Sequence, residues 1–269
     1  MLSSLRSTLL RVGLAGGCLG LLVVATTAGT SHAASTQYYL SLGDSYSVGY
    51  QPVPLPDGAA TSGYTGYVAS HLGMQLVNYG CGGATTTSIL DFTGTCGAPD
   101  SYGPPAATDA GTIPAGDTQV TAAEAFIKAH PGQIGLITIS IGGNDVTPCI
   151  NASVANPVNG QTSAIPCVVA GIAAIKTNVE TLAKDLRTAA GPKVRIIGLT
   201  YPDVLLGLWV YPTEPASSAD TQLAELSVTA FHNYINPDLK AAYKSVKGKF
   251  VDITKDTGGY KFKTTKVTS

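Results

Sequence analysis

The stretch VVAGIAAIKTNVETLAKDLRTAAGPKVRIIGL, residues 168–199, contains the unit on which the fold turns. Ile172, Ile175, Val179, Leu182 and Leu186 recur at spacings of 3, 4, 3 and 4, while Lys176, Lys184 and Asp185 fall off that stripe. This period gathers the apolar side chains on one face of a helix from about Val168 to Ala190. Gly191-Pro192 stops it, because glycine accepts the left-handed cap and proline cannot continue the hydrogen-bond ladder. Val194 to Leu199 follows as a short apolar run of the kind a buried strand shows. A long amphipathic helix feeding directly into a buried strand is half of a parallel crossover unit.

The same alternation extends outward in both directions. Strands are predicted at Tyr38 to Leu42, Gln75 to Tyr79, Ile134 to Ile141, Val194 to Leu199 and Phe250 to Ile253. Further helices are predicted at about Tyr64 to Leu72, Gln119 to His130 and Asp220 to Lys247, the last bent at Pro237. Five parallel strands joined by helices make a three-layer α/β sandwich of the flavodoxin-like kind. Residues 34–269 read as one domain, with no internal repeat, linker or second-domain boundary. Ser88 to Asp117 and Pro148 to Pro166 are rich in Gly, Pro and small polar residues and read as long loops. Both follow strand ends on the side where open α/β sheets bind ligands, so they are expected to wall a cleft; surface decoration is the alternative.

Composition narrows the function classes. The 269 residues carry 16 Lys+Arg against 17 Asp+Glu, which lacks the basic excess needed to neutralise nucleic-acid phosphates. A hydrophobic share of 44% excludes a disordered chain. Residues 1–33 combine Arg6 and Arg11, an apolar stretch from Val12 to Gly29, and Ser31-His32-Ala33 with small residues flanking a cleavage point. They read as an export signal cleaved after Ala33, against the alternatives of an uncleaved anchor or, through Cys18, a lipoprotein. The product is expected to be secreted, extracellular, monomeric and without a stable membrane anchor. Without residues 1–33 the chain keeps 14 Lys+Arg, 17 Asp+Glu and four Cys, a net charge of −3. An even cysteine count in an exported chain favours disulfides, and spacing suggests Cys81 with Cys96 and Cys149 with Cys167. Free thiols are the alternative; zinc is disfavoured because no CxxC occurs. Asn151-Ala152-Ser153 matches a glycosylation acceptor.

Three polar clusters follow three successive strands. The first strand runs into Gly43-Asp44-Ser45, presenting a hydroxyl at the carboxyl edge of the sheet. The second runs into Gly80-Cys81-Gly82-Gly83-Ala84-Thr85-Thr86, where glycine lets a backbone N–H face a cleft unobstructed. The third runs into Gly142-Gly143-Asn144-Asp145, which adds a carboxamide donor. Each cluster alone also reads as a turn or helix cap. In this order and at one edge they supply a nucleophile and oxyanion donors, the parts of an acyl-transfer site.

The chain resembles the secreted bacterial SGNH hydrolases of the GDSL lipase/esterase type. It matches their Ser block at Gly43-Asp44-Ser45, their Gly block at Gly83-Ala84-Thr85-Thr86 and their Gly-x-Asn-Asp block at Gly142 to Asp145, over a span from about Tyr38 to Ile253. The resemblance implies the SGNH hydrolase fold and hydrolysis of carboxylic esters by a Ser45 acyl-enzyme. It further implies an oxyanion hole from the Ser45 and Gly83 backbone N–H groups and the Asn144 amide. Asp44 and Asp145 are read as structural acids. The implied substrate is a small-molecule or lipid ester, lipid-like acyl esters first and acetylated sugars second, with no metal or organic cofactor.

Serine needs a base, and the family takes it from an Asp-x-x-His block after the last strand. Here Phe250-Val251-Asp252-Ile253 is followed only by residues to Ser269, none of them His. His71 and His130 close helices that lead into strands, which assigns them to the opposite edge of the sheet. His232 lies about 12 residues into its predicted helix, about 18 Å from the cleft end, and closer only if the helix starts later. Residues 255–269 hold four Lys and no apolar periodicity. The domain therefore reads as C-terminally incomplete and its activity as impaired; a non-catalytic extracellular ester- or glycan-binding relative is the alternative.

Overall fold

A computed structural model of the chain describes residues 36–50, 63–91, 113–149, 160–203, 205–206 and 218–260. Five strands, β1 (Tyr38–Gly43), β2 (Gln75–Asn78), β3 (Ile134–Ser140), β4 (Arg195–Leu199) and β5 (Lys249–Val251), form one sheet in the order β2-β1-β3-β4-β5. Every pairing is parallel. Leu40 stands between Val77 and Ile137, and Ile137 beside Ile196, so an apolar row crosses four strands. The five strands are those the sequence predicts, and this order is the flavodoxin-like one.

Helices α1 (Gly63–Leu72), α2 (Gln119–Ala129) and α3 (Gly160–Ala190) connect the first four strands. Leu40, Leu42, Ile137, Ile139 and Ile196 face a core built with α2 and α3, while Tyr39, Leu76 and Leu136 pack on the other side with Ala69 of α1. Ile175, Val179, Leu182 and Leu186 of the predicted stripe are fully buried. Gly191 caps α3 at φ 76, its N–H reaching the Arg187 carbonyl at 3.0 Å. The Arg187 guanidinium then ties that end to the Gly191, Val194 and Val246 carbonyls at 2.6, 2.8 and 2.9 Å. The helix begins at Gly160 rather than at Val168, carried through Pro166. Proline there removes one backbone donor but does not forbid the helix around it.

The predicted helix from Asp220 to Lys247 is three pieces. These are α4 (Ser218–Ala230), a π turn (Phe231–Ile235) and α5 (Asn236–Ser245). The irregularity precedes Pro237 because proline has no N–H and crowds the carbonyl four residues back; the Asn236 N–H bonds to Phe231, five residues back. Only α5 packs along β4 and β5 as the crossover helix, its Tyr243 ring lying where a Gly198 side chain would otherwise sit. A last short helix, α6 (Ile253–Asp256), is capped by the Asp252 carboxylate, which accepts from the Lys255 N–H at 3.0 Å.

Cys149 and Cys167 form the expected disulfide. Cys81 is disulfide-bonded as well, while Cys96 lies outside the described residues. The same holds for Cys18, for Asn151-Ala152-Ser153, and for most of the two long loops.

Candidate active site

Strand order reverses between β1 and β3, so the loops leaving their carboxyl ends diverge and open a crevice. Ser45 leaves one of these ends and Asn144 the other. Gly43 sits at φ 139, and a Cβ there would lie 2.0 Å from the Ser140 carbonyl oxygen, so the chain passes from strand to turn only with glycine. The buried Gln119 amide holds this point, accepting from the Gly43 N–H and donating to the Gly43 carbonyl, both at 2.9 Å. Asp44 is fully buried, its Oδ1 accepting from the Tyr46 N–H at 3.1 Å and its carbonyl accepting the Ser47 hydroxyl at 2.6 Å. It shapes the turn, as read from the sequence, and leaves Ser45 half-buried at its crest.

The Gly block is fastened to this turn. The Cys81 N–H donates to the Gly43 carbonyl at 3.0 Å, and Asn78 donates through Nδ2 to the Ser47 carbonyl at 2.6 Å while accepting the Gly80 N–H at 2.9 Å. Gly80 has no room for a side chain, since a Cβ would fall 1.9 Å from Ser47 Oγ. Gly83 lies exposed at φ 77 with open space around it.

The third block meets the second directly. Asn144, in a single 3-10 turn (Gly143–Asp145), donates through Nδ2 to the Ala84 carbonyl at 2.9 Å. Asp145 accepts the Thr86 hydroxyl at 2.6 Å and its N–H at 3.0 Å, and Asn178 of α3 steadies the same hydroxyl at 3.1 Å. The Asn144 amide nitrogen carries two hydrogens, of which the bond to Ala84 uses one.

Two carboxyls in these turns, Asp44 and Asp145, are pushed upward by burial. Asp44 rises to about 7, the Tyr201 hydroxyl and the Tyr46 N–H opposing the shift. Its Oδ2 has no partner in hydrogen-bonding geometry. We read the Tyr201 hydroxyl as facing the carboxyl without closing a bond. Asp145 is also raised by burial, with Thr86 opposing.

Tyr201 was not foreseen from the sequence. Its ring covers Gly143, where a Cβ would come within 2.0 Å of it, meets Tyr46 edge-on at 5.4 Å and stacks on Phe231 at 6.1 Å. Its backbone is clamped by the Asn236 amide, which accepts the Tyr201 N–H at 2.7 Å and donates to its carbonyl at 3.2 Å. The signal was available: Thr200-Tyr201-Pro202-Asp203 is a fourth polar cluster directly after a strand.

Residues 41–259 match the model of the GDSL-like Lipase/Acylhydrolase family. The chain belongs to this family. It is 26% identical over 267 residues to Lipase 2 of Streptomyces coelicolor, an alignment covering 90% of this chain and 80% of that protein. Its fold is similar to that of an extracellular lipase from Streptomyces rimosus, with a TM-score of 0.52, 19% identity, and 81% of this chain and 80% of the other covered.

Against the family pattern the histidines stand as follows. His71 is exposed beside Tyr67, and His130 stacks on Phe126 and bonds its carbonyl at 2.8 Å. His130 lines a cavity of about 620 Å³ with Gln37, Ile134 and Val194, at the amino ends of the strands and away from the site. His232 corrects the sequence estimate. Because α4 is a separate helix and the crossover starts at Asn236, His232 lies in the π turn beside Phe231, the ring that stacks on Tyr201. It therefore belongs to the carboxyl-end side, exposed, meeting Tyr260 edge-on at 5.2 Å and bonded to Asn233 at 2.8 Å. Among the described residues no histidine is hydrogen-bonded to Ser45.

Proposed function

We propose that this chain is a secreted ester hydrolase of lipase/esterase type, exported by residues 1–33 and folded as one domain from residue 34. Ser45 Oγ attacks the ester carbonyl and passes its proton to solvent water; the carbonyl oxygen becomes the oxyanion. The Ser45 N–H, the Gly83 N–H and the second hydrogen of the Asn144 amide receive that charge. Collapse of the tetrahedral adduct expels the alcohol with a proton and leaves Ser45 acylated; water then releases the acid.

The observation that carries the reading is the bond from Asn144 to the Ala84 carbonyl. It ties the amide donor to the residue following Gly83, while Asp145 locks the two loops together. The disulfide Cys149–Cys167 supports an oxidising destination. The substrate class is a small-molecule or lipid ester.

With no histidine bonded to Ser45 among the described residues, this chain is expected to turn over slowly, assisted by the oxyanion donors. A fluorophosphonate adduct on Ser45, lost in Ser45→Ala, with slow hydrolysis of an activated ester, is the expected result. Saturable ester or glycan binding that is indifferent to Ser45→Ala, with no adduct, would replace the enzyme reading by the binding one.

A further inference from the structure

Helix α3 changes character along its length. Residues 160–175 contain no charged side chain, whereas Lys176, Glu180, Lys184, Asp185 and Arg187 follow within the next twelve. An uncharged helix segment is ordinarily buried on all sides. This one is not: Ile165 and Val169 are 52% and 60% exposed. Pro166, Ala170 and Ala173 are exposed beside them.

The uncharged half is the half at the site. Cys167 is bonded to Cys149, four residues beyond Asp145. A Gly171 Cβ would fall 2.7 Å from the Asp145 carbonyl oxygen, and Ile175 lies against Gly142. Tyr46 beside Ser45 and Tyr234 in the π turn are exposed at 40% and 54% on the same end of the molecule. Apolar and amphipathic side chains thus rim the loops that carry Ser45 and Asn144, and the charges begin only further along the helix.

We propose that the exposed face of residues 165–173 docks on the surface of an aggregated, uncharged lipid, holding the Ser45 crevice against it. The inference rests on the ester-hydrolase reading for its choice of occupant. A second copy of the chain is a poor fit, because a stable dimer buries about 800 Å² per partner, several times what two turns of one helix offer. A lipid surface needs no matching shape and accepts a few shallowly inserted apolar side chains, with aromatic rings at its polar boundary. The absence of charge on the face points to a neutral rather than an anionic surface.

The test is flotation of the exported chain with vesicles of dioleoylphosphatidylcholine at physiological ionic strength. The chain is expected to float with the vesicles. Ile165→Glu with Val169→Glu should lower the partition coefficient by at least about tenfold, the scale set by withdrawing one or two large apolar side chains. Ile165→Ser with Val169→Ser, which adds no charge and guards against misfolding, should give an intermediate loss, and Lys184→Ala none. Failure of the unaltered chain to float, equal flotation of the variants, or a concentration-dependent dimer dissolved by the double substitution would each overturn the proposal. Flotation reads no turnover and the fluorophosphonate adduct reads no lipid. An adduct without flotation therefore sinks only the docking inference, and flotation without an adduct sinks only the hydrolase reading.

Discussion

Asp44→Asn should make the protein more stable above neutral pH and leave it almost unchanged in acid. The Asp44 carboxyl is fully buried, and burial lifts it from the ordinary 3.8 to about 7. Between those values the unfolded chain has released this proton and the folded chain still holds it. Stability therefore falls as pH rises across that window and stays low above it. At 1.36 kcal/mol for each tenfold change in proton affinity, the cost of ionising Asp44 in the folded protein approaches about 4 kcal/mol. Asparagine keeps the shape and removes the charge. Its Oδ1 can still accept the Tyr46 N–H, and its amide meets the Tyr201 hydroxyl, though a buried N–H left without a partner gives back about 1 kcal/mol. The expected net gain is about 3 kcal/mol near pH 8, vanishing or slightly reversed near pH 4. Urea unfolding of both proteins across this range, disulfides intact, measures the difference. Parallel stability curves for the two proteins would show that Asp44 ionises in the fold as easily as in water, and the account of a neutral acid beside Ser45 would fall.

Two further changes follow from the same geometry. Replacing Cys149 and Cys167 by Ala opens a loop closed by residues 18 apart and should cost about 3 kcal/mol of unfolding free energy, read from urea midpoints without reductant. Gly43→Ala should leave the chain largely unfolded or shift β1 against β3, because the new methyl lands on the Ser140 carbonyl; near-wild-type thermal melting would contradict the strand-to-turn geometry.

The fold was legible because its signals are local. Each strand is a short apolar run, and α3 shows its stripe in sequence spacing, so the presence and order of the five strands could be read, though the bounds of α3 and β5 and the break before Asn236 could not. The positions of Ser45, Gly83 and Asn144 at strand ends were legible for the same reason. What could not be read were contacts fixed only by packing. Gln119 bonds across to Gly43, and Asn236 pairs with the backbone of Tyr201, through separations of 76 and 35 residues that no spacing rule anticipates. The misplacement of His232 has a related cause. A helical pattern from Asp220 to Lys247 does not reveal that the chain leaves the sheet at a π turn, and counting residues along one imagined axis then measures the wrong distance.

The proposed oxyanion donors are amides rather than cations, and the acids around them fit that choice. Asp44 and Asp203 lie buried and Asp145 half-buried near the carboxyl ends of the strands, each raised chiefly by burial, and Ser227 and the Leu205 N–H rather than a base satisfy Asp203. An ionised carboxylate directly preceding Ser45 would oppose the negative charge that an attack by Ser45 develops. Burial resolves the conflict by keeping Asp44 protonated up to about neutral pH, with the Tyr201 hydroxyl beside it. The proposed oxyanion donors, backbone N–H groups and one carboxamide, are dipoles that would stabilise charge as it forms without adding a fixed charge of their own. On this view Tyr201 is a positioning residue. Its ring covers Gly143, next to Asn144, and its hydroxyl lies by the Asp44 carboxyl, next to Ser45, so one side chain from the loop after β4 reaches the turns that carry both residues.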